Sequence, residues 1–295
     1  MKTVSQLHEI LRQHDFARVD AHIHTHLCDG SAEMTVSRIT AEAEARGMTC
    51  VILTPHFHRH VEDDTASLYP DSDESIFLRL REEIEAYSGP LTVLLSTEAD
   101  ILSPAGETSL AISSAAEAAL DLVTPTVNYH PLLPLKAVEV TYGRCIGKIH
   151  GSGLYAEYCE AAGGVEAVLT ALYETEANAI LRSPYPAMVG HFLAAHSYAV
   201  EKWNWFGAEE KHLPIMKDGA EKLLDACQKT GAMVDLTGIH HLPASPEGKQ
   251  KTEGFFLDFQ RWFLQRCREK AVPAFPGTDS HSPDTVGDVR YYTYL

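Results

Sequence analysis

The sequence predicts an α/β fold with a parallel sheet, and three observations lead to this prediction. Short apolar runs rich in valine, isoleucine and leucine are typical of strands that are buried on both faces. Segments with apolar residues at helical spacing separate these runs. The two kinds of segment alternate along the chain, as in parallel strands joined by right-handed crossovers. A closed barrel and an open doubly wound sheet both fit this pattern.

Seven apolar runs are the predicted strands, and five segments between them are the clearest helices. The strands are expected at residues 17–23, 50–54, 91–96, 120–124, 187–190, 232–236 and 272–275. The helices are expected at residues 35–46, 74–87, 165–181, 217–230 and 253–270. Gly47 and Gly231 directly follow two of these helices, at the position where glycine commonly ends a helix.

Residues 131–183 are the irregular part of the chain. This segment is long for a single connection between a strand and the next helix, and we interpret it as an insertion after the fourth strand. The insertion could form a lid or a substrate wall over the strand ends, or it could be a structural excursion only. The chain contains no linker, low-complexity tract or internal repeat, so residues 1–295 are expected to form a single domain.

The composition limits the class of protein. Apolar residues make up 45% and charged residues 22%, which is ordinary for a globular protein. No window of about 18 apolar residues is present and the N-terminus lacks an apolar signal region, so no membrane partner is expected. The formal charge of −17 disfavours binding to long nucleic acids. Six cysteines without C-x-x-C spacing are typical of a reduced, cytoplasmic protein. A homo-oligomer is compatible with these features.

Histidine, glutamate or aspartate residues follow six of the seven predicted strands. Working groups of parallel α/β folds collect at the carboxyl ends of the strands, so these side chains are expected to converge. The sixth strand, within MVDLTG, contributes no obvious ligand. In chain order, the strand-end residues are His22, His24, His56, Glu98, His130, His191, Asp279 and His281.

This residue set predicts a centre with more than one metal. Imidazole and carboxylate ligands together suit Zn, Fe or Mn. A catalytic zinc takes about three protein ligands, so eight or nine candidates imply two or three divalent ions. A carboxylate such as Glu98 could bridge two of them. His26, His58 and His60 lie beside the proposed ligands and could contact substrate or face solvent.

The ordered motifs resemble the PHP family (polymerase and histidinol phosphatase). They are D-x-H-x-H-x3-[SC]-D-G, T-x-H, E, H, G-H and G-T-D-S-H, and they extend from about residue 19 to residue 287. The resemblance implies a distorted (β/α)7 TIM-like barrel that hydrolyses phosphoesters. The chain departs from the family pattern at three positions: Cys28 replaces a frequent serine, Pro55 an acidic residue, and Phe192 a proline.

The resemblance also implies roles for individual residues. A metal-bridging hydroxide would attack phosphorus, with Glu98, Asp279 and His281 as the catalytic residues. His26 is an alternative to Asp29 as a ligand. The implied ligand sets are His22, His24, Glu98 and Asp279 for a first metal, Glu98, His130 and His191 for a second, and Asp29, His56 and His281 for a third.

The expected substrate is a small phosphomonoester such as histidinol phosphate, or a nucleotide-like molecule. Phosphate recognition usually needs arginine or lysine near the metals. An amidohydrolase-type enzyme acting on C–N bonds is an alternative, but that class usually has a bridging lysine and eight strands. A non-enzymatic metal-binding barrel is a second alternative, disfavoured by the intact ligand set. The candidate substrate contacts are His26, His58, Arg59, Arg144, Lys148 and Arg182.

Overall fold

A computed structural model describes residues 1–58, 72–127, 160, 162–190, 209–237 and 255–289. Helices and strands alternate through these residues, which confirms the predicted α/β class. The strands are β1 Val19–Ile23, β2 Cys50–Leu53, β3 His56–Phe57, β4 Thr92–Leu95, β5 Glu98–Asp100, β6 Thr124–Thr126, β7 Met188–Val189, β8 Met233–Asp235 and β9 Ala274–Phe275. The helices are α1 Val4–Leu11, α2 Val36–Ala45, α3 Ser75–Ala86, α4 Ser114–Ala119, α5 Val165–Arg182, α6 Leu213–Thr230 and α7 Phe255–Glu269.

The described strands form three parallel sheets of three strands each, in the orders β1-β2-β4, β3-β5-β6 and β7-β8-β9. Backbone hydrogen bonds also cross two borders between these sheets. Met188 N donates to Val123 O at 2.9 Å, and Ala21 N donates to Pro276 O at 2.8 Å. A single closed sheet is not assigned among the described residues, so the (β/α)7 barrel stays a prediction.

Two of the predicted strands are interrupted and one is displaced. The second predicted strand ends at Leu53, and β3 resumes the extended chain at His56. The third ends at Leu95, and β5 resumes the extended chain at Glu98, beyond the predicted bounds. The fourth lies at Thr124–Thr126 instead of 120–124, because its strand includes Pro125, where the apolar run appeared to end. Each interruption falls just before a candidate site residue.

Apolar stripes hold the helices on the strands. The predicted stripe of α3 is buried, with Phe77 and Leu80 fully inaccessible. Helix α5 packs along α6, where Gly219 leaves room for the Tyr173 ring; a β-carbon there would lie 2.2 Å from a ring carbon. Helix α5 belongs to the predicted insertion at residues 131–183, and residues 131–159 of that insertion lie outside the described part of the chain.

Helix ends follow local sequence signals. Thr35 caps the first turn of α2, and Gly231 ends α6 in the left-handed conformation with φ of 76°. Helix α6 begins at Leu213, four residues before its predicted start, because Pro214 is tolerated in a first helical turn. None of the described helices is long and apolar enough to cross a membrane.

Candidate metal centre

Strand ends place seven predicted ligands in one region of the molecule. His22 lies on β1 and His24 directly follows it, while His56 and Glu98 begin the short strands β3 and β5. Asp29 lies in the turn after β1, and the segment after β9 supplies the remaining two residues, Asp279 and His281. The parallel pairing of β3 with β5 sets His56 directly beside Glu98. The described members of the three implied ligand sets therefore lie close together.

One group of potential ligand atoms consists of His22, His24 and Asp279, whose atoms lie within 4.8 Å of one another. The Nε2 atoms of the two histidines are 3.2 Å apart. Asp279 Oδ1 lies 2.8 Å from His24 Nε2 and 3.8 Å from His22 Nε2. Two imidazoles and a carboxylate that face one point in this way match the ligand set of a catalytic divalent metal.

A second group consists of His24, Asp29, His56 and His281, and Asp29 is at its centre. Asp29 Oδ1 lies 2.9 Å from His24 Nδ1. Asp29 Oδ2 lies 3.1 Å from both His56 Nε2 and His281 Nε2. His24 thus belongs to both groups, one ring nitrogen facing each. The resemblance to the PHP family implies His24 as a ligand of the first metal alone.

Glu98 lies between the two groups. Its Oε2 atom is 3.2 Å from His22 Nε2, 3.4 Å from His24 Nε2 and 3.3 Å from His56 Nδ1. The side chain is fully buried. A carboxylate oxygen so placed can neutralise positive charge in both groups.

Neighbouring carboxylates and histidines shift one another's pKa values at this site. Burial lowers the pKa of His22, but hydrogen bonds to Asp235 and Glu98 outweigh that effect and raise the pKa to about 10. Burial likewise opposes protonation of His24, and its bonds to Asp279 and Asp29 hold its pKa well above the usual value. Burial raises the pKa of Asp29, yet its three histidine partners hold it well below the usual range. Cations are therefore favoured at this site, and divalent metals suit the same donor atoms.

Exposure increases across the centre from one side to the other. The side chains of His22, His24 and Glu98 are at most 1% exposed, whereas that of Asp29 is 33% and that of His281 is 43% exposed. The buried side is formed by the end of β1, the residue directly after it and the start of β5, whereas the other side opens to solvent at Asp29 and His281.

Asp279 has an unusual backbone conformation, with φ of 52°. Such a value is uncommon for residues other than glycine and must be maintained by the surrounding structure. Asp279 N donates to His22 O at 2.8 Å. The preceding Thr278 is held by buried Asp20, which accepts hydrogen bonds from its N at 2.9 Å and its Oγ1 at 2.7 Å. Burial raises the pKa of Asp20 to about 6.

Two candidate substrate residues do not join the centre. The chain turns after Thr25, so His26 leaves the face that carries His22 and His24, and its ring contacts Met34 O and Glu83. His26 therefore contacts neither group of ligand atoms. Arg182 lies on the last turn of α5, where it contacts Ala105 O and Glu107. The candidates outside the described residues are Arg59, His60, His130, Arg144, Lys148 and His191.

His58 lies beside the centre. Its ring stacks on His56 with 4.6 Å between centroids, and its Nδ1 is 2.8 Å from Asp100 Oδ2. Both members of the His58–Asp100 pair are buried. The sequence indicates His58 as a candidate but does not indicate Asp100, which follows Glu98 by two residues. It does not indicate Asp235 either, which lies within the apolar run of the sixth predicted strand. The histidine that each carboxylate contacts is what gives it a role at the centre.

Comparisons with known proteins agree with this picture. The histidinol-phosphatase of Bacillus subtilis strain 168 is 22% identical over 287 residues, covering 92% of this chain and 95% of that protein. A structure assigned as a histidinol phosphatase from Listeria monocytogenes superimposes with a TM-score of 0.64 at 16% identity, over 94% of this chain and all of the other.

A second solved structure has a similar fold. It is the histidinol phosphate phosphatase of Lactococcus lactis in complex with zinc, L-histidinol and phosphate, with a TM-score of 0.56 at 15% identity over 91% of this chain and 88% of the other. No protein-family model matches the chain. The matches confirm the predicted resemblance to histidinol-phosphatase-like proteins and the α/β fold.

Proposed function

We propose that this chain is a metal-dependent phosphatase that hydrolyses a small phosphomonoester, with histidinol phosphate as the preferred candidate. The observation that carries the proposal is the convergence of four histidines and three carboxylates at the strand ends. The similarity to histidinol phosphatases over more than nine-tenths of the chain supports the reaction class.

The donor atoms fit divalent metals by their chemistry and by their mutual approach. His22, His24 and Asp279 would hold one ion, and Asp29, His56 and His281 a second, with Glu98 between them. A further ion would be held by Glu98 together with His130 and His191, which lie outside the described residues. Metals bound there would lower the pKa of water to near neutrality and offset the charge of a phosphate group. The proposed identity is Zn, Mn or Fe.

The chain's own residues would prepare this chemistry in three ways. The negative charge of the carboxylates Asp29, Glu98 and Asp279 would favour the binding of divalent cations at the centre. The buried floor of His22, His24 and Glu98 excludes water from one side. The exposed rim at His281 leaves the other side open to a phosphate of the substrate. The basic side chains proposed to bind the substrate phosphate are Arg59, Arg144 and Lys148.

The scaffold proposed for this site is a closed, distorted (β/α)7 barrel. The interrupted pairs β2/β3 and β4/β5 would each count as one strand, which reduces the nine strands of the described residues to seven. The backbone bonds between Val123 and Met188 and between Ala21 and Pro276 support pairing across two sheet borders. Closure would bring all strand ends to a single rim, as the metal centre requires.

A phosphate-release assay tests the proposed reaction. The protein would be stripped with a chelator, reloaded with Zn, Mn or Fe, and assayed on p-nitrophenyl phosphate and on a dipeptide. We expect metal-dependent hydrolysis of the phosphoester only. Glu98→Gln should lower the rate at least about 100-fold because it removes a charge from the centre, whereas Glu117→Gln on the surface helix α4 is the matched control.

Two results would contradict the proposal. Absence of phosphate release with all three metals would exclude a phosphatase, and hydrolysis of the dipeptide alone would favour C–N bond chemistry. A Glu98→Gln variant with full rate and full metal content would refute the role of Glu98.

A further inference from the structure

Asp235 lies at the end of β8, beneath the metal centre. Its Oδ2 atom is 2.7 Å from Nδ1 of His22, and both side chains are fully buried. His22 Nε2, on the opposite side of the ring, faces His24, Glu98 and Asp279. The imidazole thus has one nitrogen toward Asp235 and the other toward the proposed ligands.

We propose that Asp235 is a positioning residue that fixes the ring orientation and tautomer of His22. By accepting a hydrogen bond from Nδ1–H, the carboxylate leaves the Nε2 lone pair directed at the proposed metal. Metal-bound histidines commonly have such an outer partner, which fixes the tautomer and increases the basicity of the ligand. This inference rests on the proposed function, since it requires His22 to be a metal ligand.

The second oxygen of Asp235 is fixed by two donors. Thr237 N donates to Oδ1 at 2.7 Å, and Thr237 Oγ1 donates to the same atom at 2.5 Å. These bonds prevent the carboxylate from rotating away from His22. The two oxygens of Asp235 therefore have separate partners. Oδ1 accepts from Thr237, just after β8, and Oδ2 contacts His22 on β1.

Gly277 makes this packing possible. A β-carbon at position 277 would lie 2.1 Å from Thr237 Oγ1, 2.6 Å from Asp235 Oδ1 and 2.8 Å from the β-carbon of His22. No side chain can occupy that space while the three groups keep their contacts. The first residue of the G-T-D-S-H motif thereby accommodates the Asp235–His22 pair, while the residues that follow carry the candidate ligands.

The geometry predicts an unusual effect of the isosteric substitution Asp235→Asn. The amide oxygen would remain with Thr237, which offers two donors, so the amide NH2 group would face His22 Nδ1. Nδ1 would then have to accept, and the ring proton would move to Nε2. In that tautomer Nε2 has no lone pair for a metal, although the shape of the side chain is unchanged.

The test measures metal binding and the tautomer directly. Zn affinity of the full chain would be measured by chelator competition for wild type and Asp235→Asn, and the ring nitrogens of His22 would be followed by ¹⁵N NMR. At a zinc concentration that saturates wild type, the wild-type spectrum should report a proton on Nδ1 and none on Nε2. We expect Asp235→Asn to weaken Zn binding about 10- to 100-fold and its spectrum to report a protonated Nε2 at that zinc concentration. Asp121→Asn is the control, because Asp121 is a buried aspartate that accepts from Leu95 N and pairs with Arg81 away from the centre.

Further variants separate the outcomes. If Asp235→Asn does not fold, Thr237→Val removes one of the two donors to Oδ1 and should weaken Zn binding by a smaller factor. Unchanged affinity and an unchanged tautomer in either folded variant would overturn the positioning role. If His22→Ala binds as much Zn as wild type, His22 is not a ligand, and both this inference and its premise fail. Loss of Zn in His22→Ala without loss in Asp235→Asn overturns the inference alone.

Discussion

Binding of zinc to the metal-free protein should release about one proton from His22 at pH 7, and release from His24 should add to that number. With a pKa of about 10, His22 is almost fully protonated at that pH, and the pKa of His24 lies well above the ordinary value. Both rings must lose a proton before Nε2 can bind a metal. Two histidines with an ordinary pKa near 6.5 would together release only about 0.5 proton at pH 7.

The raised pKa of His22 also sets the free energy of removing its proton and the pH dependence of proton release. At pH 7 the His22 pKa of about 10 makes removal of the proton cost about 4 kcal/mol, which reduces the free energy of zinc binding by that amount. The contribution of His22 should remain near one proton between pH 6 and 8. A histidine with an ordinary pKa would instead release about 0.8 proton at pH 6 and fewer than about 0.1 at pH 8.

Calorimetric titration in buffers of different ionisation enthalpy measures the released protons. His8→Gln is the control, because His8 bonds to Gly231 O outside the centre and should leave the count unchanged. His22→Gln should remove about one proton if the remaining ligands still bind zinc. Ionisation of a metal-bound water only adds protons. A count of about 0.5 or less at pH 7 would therefore refute the coupling between these histidines and their carboxylates.

Two further predictions concern stability. The raised pKa of His22 stabilises the metal-free fold, and this contribution is complete below about pH 6.5. It is lost as the pH rises toward about 10. The melting temperature of the chelator-treated protein should therefore fall between these two pH values, and a melting temperature that does not change with pH would contradict the prediction. Gly231→Ala should cost about 1–2 kcal/mol in urea denaturation because φ is 76° and the new β-carbon would lie 2.5 Å from Val4; it should not change zinc affinity, and a matched loss of affinity would argue against a purely local effect.

Much of the site could be predicted because strand ends are readable from the sequence. His22 and His24 each occupy a fixed place relative to an apolar run, and the parallel arrangement gathers such places at one rim. His26 could not be separated from them by spacing. Its position depends on the turn after Thr25, where Gly30 approaches so closely that a β-carbon would lie 2.7 Å from Thr25 O.

The outer partners could not be predicted for a different reason. Asp235 contacts a residue 213 positions away, and nothing in MVDLTG shows that a histidine will lie above it. Asp20 was visible within the D-x-H-x-H motif, but its bonds to Thr278 and Gly287 join the two ends of the chain. Buried carboxylates acquire a role only from the donors that the fold brings to them.

Phosphate release from L-histidinol phosphate tests the central claim most directly. The wild-type chain loaded with zinc or manganese should release inorganic phosphate with saturating kinetics, lose that activity on chelation, and recover it when metal is restored. Asp29→Asn removes the negative charge of the carboxylate that contacts three histidines. This variant should lose most of the activity while the chain remains folded. Metal-loaded wild type that binds two or more ions yet releases no phosphate from this substrate or from p-nitrophenyl phosphate would contradict the account.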